Sequence, residues 1–221
     1  MQALTEKILR RLLRESSLVP GHLAAVQTVN APARKEAVIY DIDEVEQWLQ
    51  IITQEGGSSY ALEAMRGFIS IRKPAHPCDD AWEVIMSVGP GYGKLVYGMA
   101  YAMSPTGKLI SDRASVSDDA QRGWQRAEKE RVSTELDSIT PPHKTPPKDD
   151  DCRLYNQPGR EFLDRAYKAQ GWEAGALKTL KANHNKLVRR NGLTHKEEYD
   201  LIEALGTQSV IFFNKNYEQE S

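Results

Sequence analysis

Few cysteines, no long apolar run and almost no net charge set the first limits on this chain. Cys78 and Cys152 are too few for a disulfide framework and have no metal-ligand spacing, which favours a reducing compartment and a cytoplasmic setting. No stretch approaches the roughly 18 to 20 apolar residues that span a bilayer, and the N-terminus lacks the apolar core of a signal peptide, so no membrane association is expected. A formal net charge of −2 gives no global pull towards nucleic acid or anionic lipid, and binding of either kind needs a local patch. The five histidines, His22, His76, His143, His184 and His195, fall on separate segments without zinc spacing, so no metal site is expected.

What is present is an ordinary globular balance, 40% hydrophobic and 27% charged over 221 residues, enough for one large domain or a domain with an appendage. Leu4, Ile8 and Leu12, widened by Leu9 and Leu13, predict an opening helix with Arg10, Arg11 and Arg14 on its other side. Ala37 to Tyr40 has strand character. Asp43 and Glu46 have capping-box spacing for a helix with Val45, Trp48, Leu49 and Ile52 inside, stopped by Gly56-Gly57. The segments 67–73 and 81–88 read as neighbouring antiparallel strands joined through Pro74 and Pro77. Lys108 to Arg113 reads as a short strand, and Ser117 caps a helix whose inner face is Ala120, Trp124 and Ala127.

Pro141, Pro142, Pro146 and Pro147 stand among Lys and Asp, with too little apolar surface to fold independently. This divides the chain into a core over 1–136, a linker or loop over 137–157, and a mainly helical part over 158–221. Helices are expected over 161–170, 172–190 and 194–205, the last with a Thr194–Glu197 capping box and Gly206 as its stop. Ser209 to Phe213 reads as a final strand returning to the sheet. The expected class is α/β of the α+β kind, a mixed, mostly antiparallel sheet of about five to seven strands flanked by helices, with a helical C-terminal excursion.

The stretch from Val84 to Met103 organises the rest. An apolar strand runs into Gly89, Gly91 and Gly93, and a nearly all-apolar helix follows, with Gly98 marking a close approach to the sheet or a ligand. A glycine turn opening a helix presents free N–H groups and the positive end of the dipole, a natural place for phosphate. It is not a Walker A loop, because three residues separate Gly89 from Gly93 and Leu95 follows Lys94. Nor is it a dinucleotide fingerprint, since Val96 stands where the third glycine belongs.

Two antiparallel strands, a Gly-x-Gly turn, a buried helix, a short strand and a helix with an inward aromatic form an order that resembles the GNAT superfamily of acyl-coenzyme A-dependent N-acyltransferases. Gly91-Tyr-Gly-Lys-Leu, with Asp112-Arg-x-x-Val-Ser-x-x-Ala120 and Trp124, looks like segments of phage-encoded GNAT-like proteins, some of them virion components. The resemblance spans roughly residues 37 to 130. It implies acetyl-coenzyme A as cofactor, a pyrophosphate held by the amides of Gly91, Tyr92, Gly93 and Lys94, and the pantetheine arm beside the strand carrying Met86 and Val88. Val88 takes the place of the family's usual Gln or Arg, and Pro90 removes one N–H ahead of the cradle.

Acyl transfer to an amine needs a proton acceptor for the amine and a donor for the thiolate. Glu83 is the candidate base, and Tyr92, Tyr97 and Ser117 are candidate donors, each of which also has an ordinary structural reading as a solvated or core side chain. Asp112-Arg113 reads as a structural ion pair or an acceptor-binding pair. Lys178, Lys181, Lys186, Arg189 and Arg190 form a basic helix face, a solvated surface before it is a nucleic-acid patch. The function expected is an N-acyltransferase-like protein acting on an unidentified amine acceptor, in host cytoplasm or a virion. The alternative is an inactive GNAT-like structural protein that binds a protein partner or DNA. Limited proteolysis is expected to cut first within residues 137–151; cleavage elsewhere with this stretch spared would contradict the linker reading.

Overall fold

The computed structural model describes residues 19–31, 33–52, 58–74, 78–112, 115–136, 152 and 158–217. The opening helix, the Gly56-Gly57 stop, Arg113 and the proline-rich stretch 137–151 lie outside the described residues. The strands are β1 (Leu23–Ala31), β2 (Arg34–Asp41), β3 (Met65–Arg72), β4 (Trp82–Val88), β5 (Lys108–Ile110), β6 (Ser133–Glu135) and β7 (Arg165–Lys168). The helices are α1 (Ile42–Ile52), α2 (Ser58–Ala64), α3 (Gly93–Met103), α4 (Asp118–Glu130), α5 (Trp172–Arg190) and α6 (His195–Tyr217).

The strands form one seven-stranded mixed sheet in the order β1-β2-β3-β4-β5-β7-β6. All neighbours are antiparallel except β4 and β5, which run parallel because α3 carries the chain back between them. Strand alternation sends Ala37, Ile39, Ile69 and Ile71 to one face and Val38, Tyr40 and Phe68 to the other. The first face packs on α3 and the start of α5, the second on α1, α2 and α6. Both faces are covered, which explains why β2 and β3 read as nearly continuous apolar runs.

A bulge changes the pattern in β4. Ser70 pairs with Met86 and Ile71 with Val84, so Ile85 is an extra residue on β4. Trp82 and Val84 therefore belong to the α3 side, whereas Met86 and Val88 join the α6 side. On that side Glu36, Ser70 and Glu83 are buried polar residues. Glu36 accepts from Arg34 at 2.7 Å and from Ser70 Oγ at 3.1 Å, and Glu83 pairs with Arg72 Nε at 2.7 Å. Buried carboxylates need such partners, since an unpaired charge here would cost several kcal/mol (about 3 to 5).

α5 runs past the β1 edge. Its Trp172, Ala176 and Leu180 pack with α3, its Leu187 packs with α6, and Asn183 Nδ2 donates to the Leu23 carbonyl at 2.8 Å. The helix thus covers an edge strand that would otherwise be open to pairing. The basic side chains lie on its exposed face as expected, with Arg190 bound to Glu46 and Lys181 to Gln27.

Several local expectations are corrected. Asp41, not Asp43, caps α1, its Oδ1 accepting from the amides of Asp43 at 3.0 Å and Glu44 at 3.4 Å. Glu46 instead reaches Arg190 Nε and Asn191 Nδ2, both at 2.7 Å, tying α1 to the end of α5. The predicted helix over 161–170 is a 3-10 turn at Glu161–Asp164 followed by β7, and this is the C-terminal segment that joins the sheet. Residues 209–213 are helical: α6 passes Gly206 and buries Leu201, Ala204, Leu205, Ser209 and Phe212, a helical period that overrides the β propensity of Val210 and Ile211. The Thr194–Glu197 capping box is present, with Glu197 Oε2 accepting from Thr194 N at 2.8 Å and Thr194 Oγ1 accepting from Glu197 N at 3.3 Å. Cys78 and Cys152 form a disulfide across 74 positions, which removes the support that unpaired thiols gave to a reducing compartment.

Tyr40, His184 and Glu198 link β2, α5 and α6. The Tyr40 hydroxyl lies 2.7 Å from His184 Nδ1, and His184 Nε2 lies 3.3 Å from Glu198 Oε1. Burial lowers the His184 pKa, with Glu198 opposing in part, so the folded state favours neutral imidazole. A depressed folded pKa contributes stability that is present above the unfolded value of about 6.5 and is lost as pH falls through the folded pKa. Melting temperature is expected to hold above about pH 7 and then fall, with a His184 contribution of at most about 1.4 kcal/mol per pH unit. His184→Gln should flatten that part of the profile; an unchanged slope in thermal melts from pH 8 to 5 would contradict the assignment.

Candidate functional site

α3 sits close to the sheet because two glycines make room for one side chain. A β-carbon on Gly67 or Gly89 would lie 2.6 Å or 2.5 Å from Val96 Cγ2, so Val96 fills the hollow that both leave. On the other side of α3, a β-carbon on Gly98 would meet Trp172 of α5 at 2.5 Å, so the close approach expected there is to a helix side chain and not to the sheet or a ligand. These contacts fix the start of α3 at the end of β4.

The turn between them closes with Tyr92 N–H donating to the Gly89 carbonyl at 2.8 Å, while Leu95 and Val96 donate to the Tyr92 carbonyl at 2.9 and 3.0 Å. Gly91 has φ +77°, the left-handed region where a side chain is strained. Gly93 is the first helical residue, and a β-carbon there would meet nothing within 4 Å. Of the four amides expected to face an anion, that of Tyr92 is occupied by the turn. Those of Gly91, Gly93 and Lys94 have no acceptor among the described residues, which for Gly93 and Lys94 follows from their place at the start of the helix.

Beside this turn the sheet opens. β4 and β5 pair at Trp82–Leu109 and Glu83–Ile110, where β5 ends while β4 continues to Val88. A cavity of about 600 Å³ lies against the end of β4 between α3 and α4, lined by Ser87, Gly91, Gly93, Lys94, Tyr97 and Trp124 among others. A second of about 300 Å³ adjoins it on the far side of Ser87 and Tyr97, lined by Ile85, Met86, Asp112, Val116 and Phe213 among others. Ser87, Tyr97, Ser117, Ala120 and Trp124 line both.

The candidate residues divide accordingly. Gly91, Gly93, Lys94 and Val88 line the larger cavity and Met86 the smaller, although the Val88 side chain is packed in the core on the α6 side. Tyr97 stands at the junction, its hydroxyl accepting from Ser87 Oγ at 3.3 Å, and burial raises its pKa so that it stays protonated. Ser117 also lines both cavities, but its hydroxyl oxygen caps α4 by accepting from Ala120 N at 3.3 Å. Tyr92 is turned against the core and lines neither, and Glu83 is 1% exposed beside Arg72 and lines neither. Asp112 is the carboxylate in the smaller cavity and accepts from Ser115 N at 3.3 Å.

Residues that sequence reasoning passed over include Ser87, Tyr101 and the α4 cations Arg122 and Arg126, together with Arg131, all of which line the larger cavity. Arg122 and Arg126 have the four-residue spacing of one helix face, the signal that could have found them. Arg122 pairs with Asp119, and Lys94 places its ammonium 5.6 Å above the Trp172 ring. Cationic charge therefore surrounds the turn without concentrating at one point. Among the described residues no helix is long and apolar enough to cross a membrane, and none of their acidic, histidine or cysteine side chains cluster in a way that could hold a metal ion. No family model, curated protein or solved structure matches the chain.

The two kinds of glycine give a direct test of this construction. Gly89→Ala is expected to destabilise by about 1 to 3 kcal/mol, because Val96 and the backbone must shift. Gly93→Ala should change stability by less than about 0.5 kcal/mol. Urea denaturation of both variants checks the contrast, and equal effects would place the wedge at the wrong glycine.

Proposed function

We propose that this chain binds an acyl-coenzyme A and acts as an N-acyltransferase-like protein, the activity its sequence order resembles. One observation carries the reading: β4 and β5 part after Glu83 and Ile110, the smaller cavity opens there beside Ile85, Met86 and Asp112, and through Ser87 and Tyr97 it adjoins the larger cavity, which is lined by Gly91, Gly93 and Lys94 with their unpaired amides. Separated strand ends beside a helix N-terminus suit an extended ligand with an anionic end. The larger cavity's volume, about 600 Å³, falls within the range of ordinary cofactor sites.

In this reading the amides of Gly91, Gly93 and Lys94 receive the pyrophosphate, and Arg126 and Lys94 add screened attraction. The arm would lie along the β4 segment of Ile85 to Ser87, whose β5 side has no partner strand among the described residues. The thioester supplies an activated acyl carbon. An amine entering through the smaller cavity forms the new C–N bond as the C–S bond breaks, gives up one proton, and leaves a thiolate that takes one. Tyr97, held protonated at the junction, is the donor to that thiolate, with Ser87 orienting its hydroxyl. Asp112 is the carboxylate placed to take the amine proton.

The position of Glu83 favours a second reading, a ligand-binding or structural protein without turnover. Its carboxylate is committed to Arg72 and is outside both cavities. A virion protein that binds a protein partner or DNA belongs to this class.

Calorimetry and thermal shift with acetyl-coenzyme A test binding, and release of free thiol with added amines tests turnover. A ligand at a hundred times its dissociation constant should stabilise the fold by about 2.7 kcal/mol. Gly93→Val is expected to abolish binding while leaving the melting temperature near wild type, because its side chain fills the space before the amides. Lys94→Ala should weaken binding only about 2- to 5-fold, since its ammonium is an exposed, screened charge. Normal binding by Gly93→Val, or no binding by wild type, would reduce the turn to a structural corner. Binding without thiol release would select the second reading.

A further inference from the structure

The larger cavity extends well past the turn. Tyr97 meets Trp124 edge-on with centroids 5.5 Å apart, and Tyr101 lies beneath the Arg131 guanidinium at 3.9 Å. The two pairings advance together along α3 and past α4, so the helices run side by side in the same direction. Between them Tyr97 and Tyr101 form one wall, and Ala120, Gly123 and Ala127 the other. A β-carbon on Gly123 would already touch the Tyr97 ring at 3.9 Å, so the slot is narrow because of the aromatic wall and open because of the small one. From Gly93 to Tyr101 is eight helical residues, a reach of about 12 Å.

At the far end stands a polar atom with nothing to bind. Tyr101 is 2% exposed, and its hydroxyl is buried without a hydrogen-bond partner. Buried hydroxyls are nearly always satisfied, and leaving one unpaired costs about 1 to 3 kcal/mol. The neighbouring charge is already compensated, because Arg131 Nη1 donates to the buried Glu173 carboxylate at 2.7 Å and to the Lys168 carbonyl at 3.2 Å. Burial also keeps the phenol protonated. The orphan is thus a neutral donor in a locally neutral setting, and what suits it is a neutral acceptor.

We propose that the slot between α3 and α4 binds the uncharged part of a phosphate-bearing ligand, and that the Tyr101 hydroxyl donates to a neutral carbonyl oxygen or ring nitrogen of that part. This rests on the anion-binding reading of the turn and deepens it, assigning a second recognition point about 12 Å from the phosphate. With the arm of a coenzyme A-like molecule lying along β4, the acceptor in the slot comes from its base. Tyr101 would then make the protein prefer a long ligand to a bare phosphate.

Calorimetry with pyrophosphate, ADP, 4′-phosphopantetheine and coenzyme A, on wild type and Tyr101→Phe, tests the proposal. The variant is expected to bind coenzyme A about 5- to 10-fold more weakly and pyrophosphate unchanged. The loss should recur with ADP, which carries the base, and be absent with 4′-phosphopantetheine, which lacks it; a loss with phosphopantetheine and none with ADP would overturn the assignment. Removing an unpaired hydroxyl should leave the free protein's melting temperature equal or higher, which a structural tyrosine would not allow. Ala127→Leu, which fills the slot from its rim, should weaken coenzyme A and spare pyrophosphate. If Tyr101→Phe binds coenzyme A as wild type does, the assignment fails while the turn stands. If wild type binds pyrophosphate but no longer ligand more tightly, the slot falls alone; if it binds none of the four, the slot and the proposed function fall together.

Discussion

The contact of Val96 with the space left by Gly67 and Gly89 is the constraint from which the geometry of the site follows. With any side chain at either glycine, α3 would stand further from the sheet, and the turn at the end of β4 would have to open. Close packing of one branched side chain thereby sets the position of three backbone amides. It also fixes the opposite face of α3, where Trp172 occupies the place of a β-carbon at Gly98 and ties the helix to α5. The interior is dense enough to transmit such a constraint over the length of a helix.

Polar groups inside the fold are distributed in two ways. On the α6 side they are matched: Arg34, Glu36 and Ser70 satisfy one another, Arg72 holds Glu83, and Tyr40, His184 and Glu198 connect three elements. These links explain how a sheet with covered faces can hold carboxylates at 1% and 3% exposure. On the α3 side the matching is incomplete, and it is incomplete beside a cavity. Tyr101, whose hydroxyl is unpaired, and the residues at the start of α3 line the same cavity. Satisfied networks of this kind rigidify the body of the protein.

The β4–β5 separation has a local cause as well. The extra residue at Ile85 shifts Met86 and Val88 to the opposite side of the sheet, and bulged strands bend and twist more strongly. β5 ends at Ile110, and its short pairing with β7 holds it away from the later half of β4. The opening is therefore produced by the sheet itself.

Much of this was legible before any coordinates. Apolar runs bounded by turns indicated β2, β3 and β4, the three glycines indicated the corner, Ser117 indicated the cap of α4, and Thr194 with Glu197 that of α6. Each of these is set by interactions within a few residues, so the local sequence determines it. What the tertiary structure decided lies between distant segments. Val210 and Ile211 sit in a helix because Leu205 and Phe212 must meet the sheet, and residues 165–168 form a strand because β5 and β6 offer partners. Glu83 is taken out of the site by Arg72 across the ladder, and Cys78 meets Cys152 from 74 positions away. Tyr101 reads as one more core aromatic on an apolar helix until α4 is placed beside it. The sequence by itself determined the caps at Ser117 and Thr194, the glycine corner and the strands β2, β3 and β4, because those depend on local spacing. Which polar groups face a partner and which face a cavity depends on segments far apart in the chain, and only their packing could decide it.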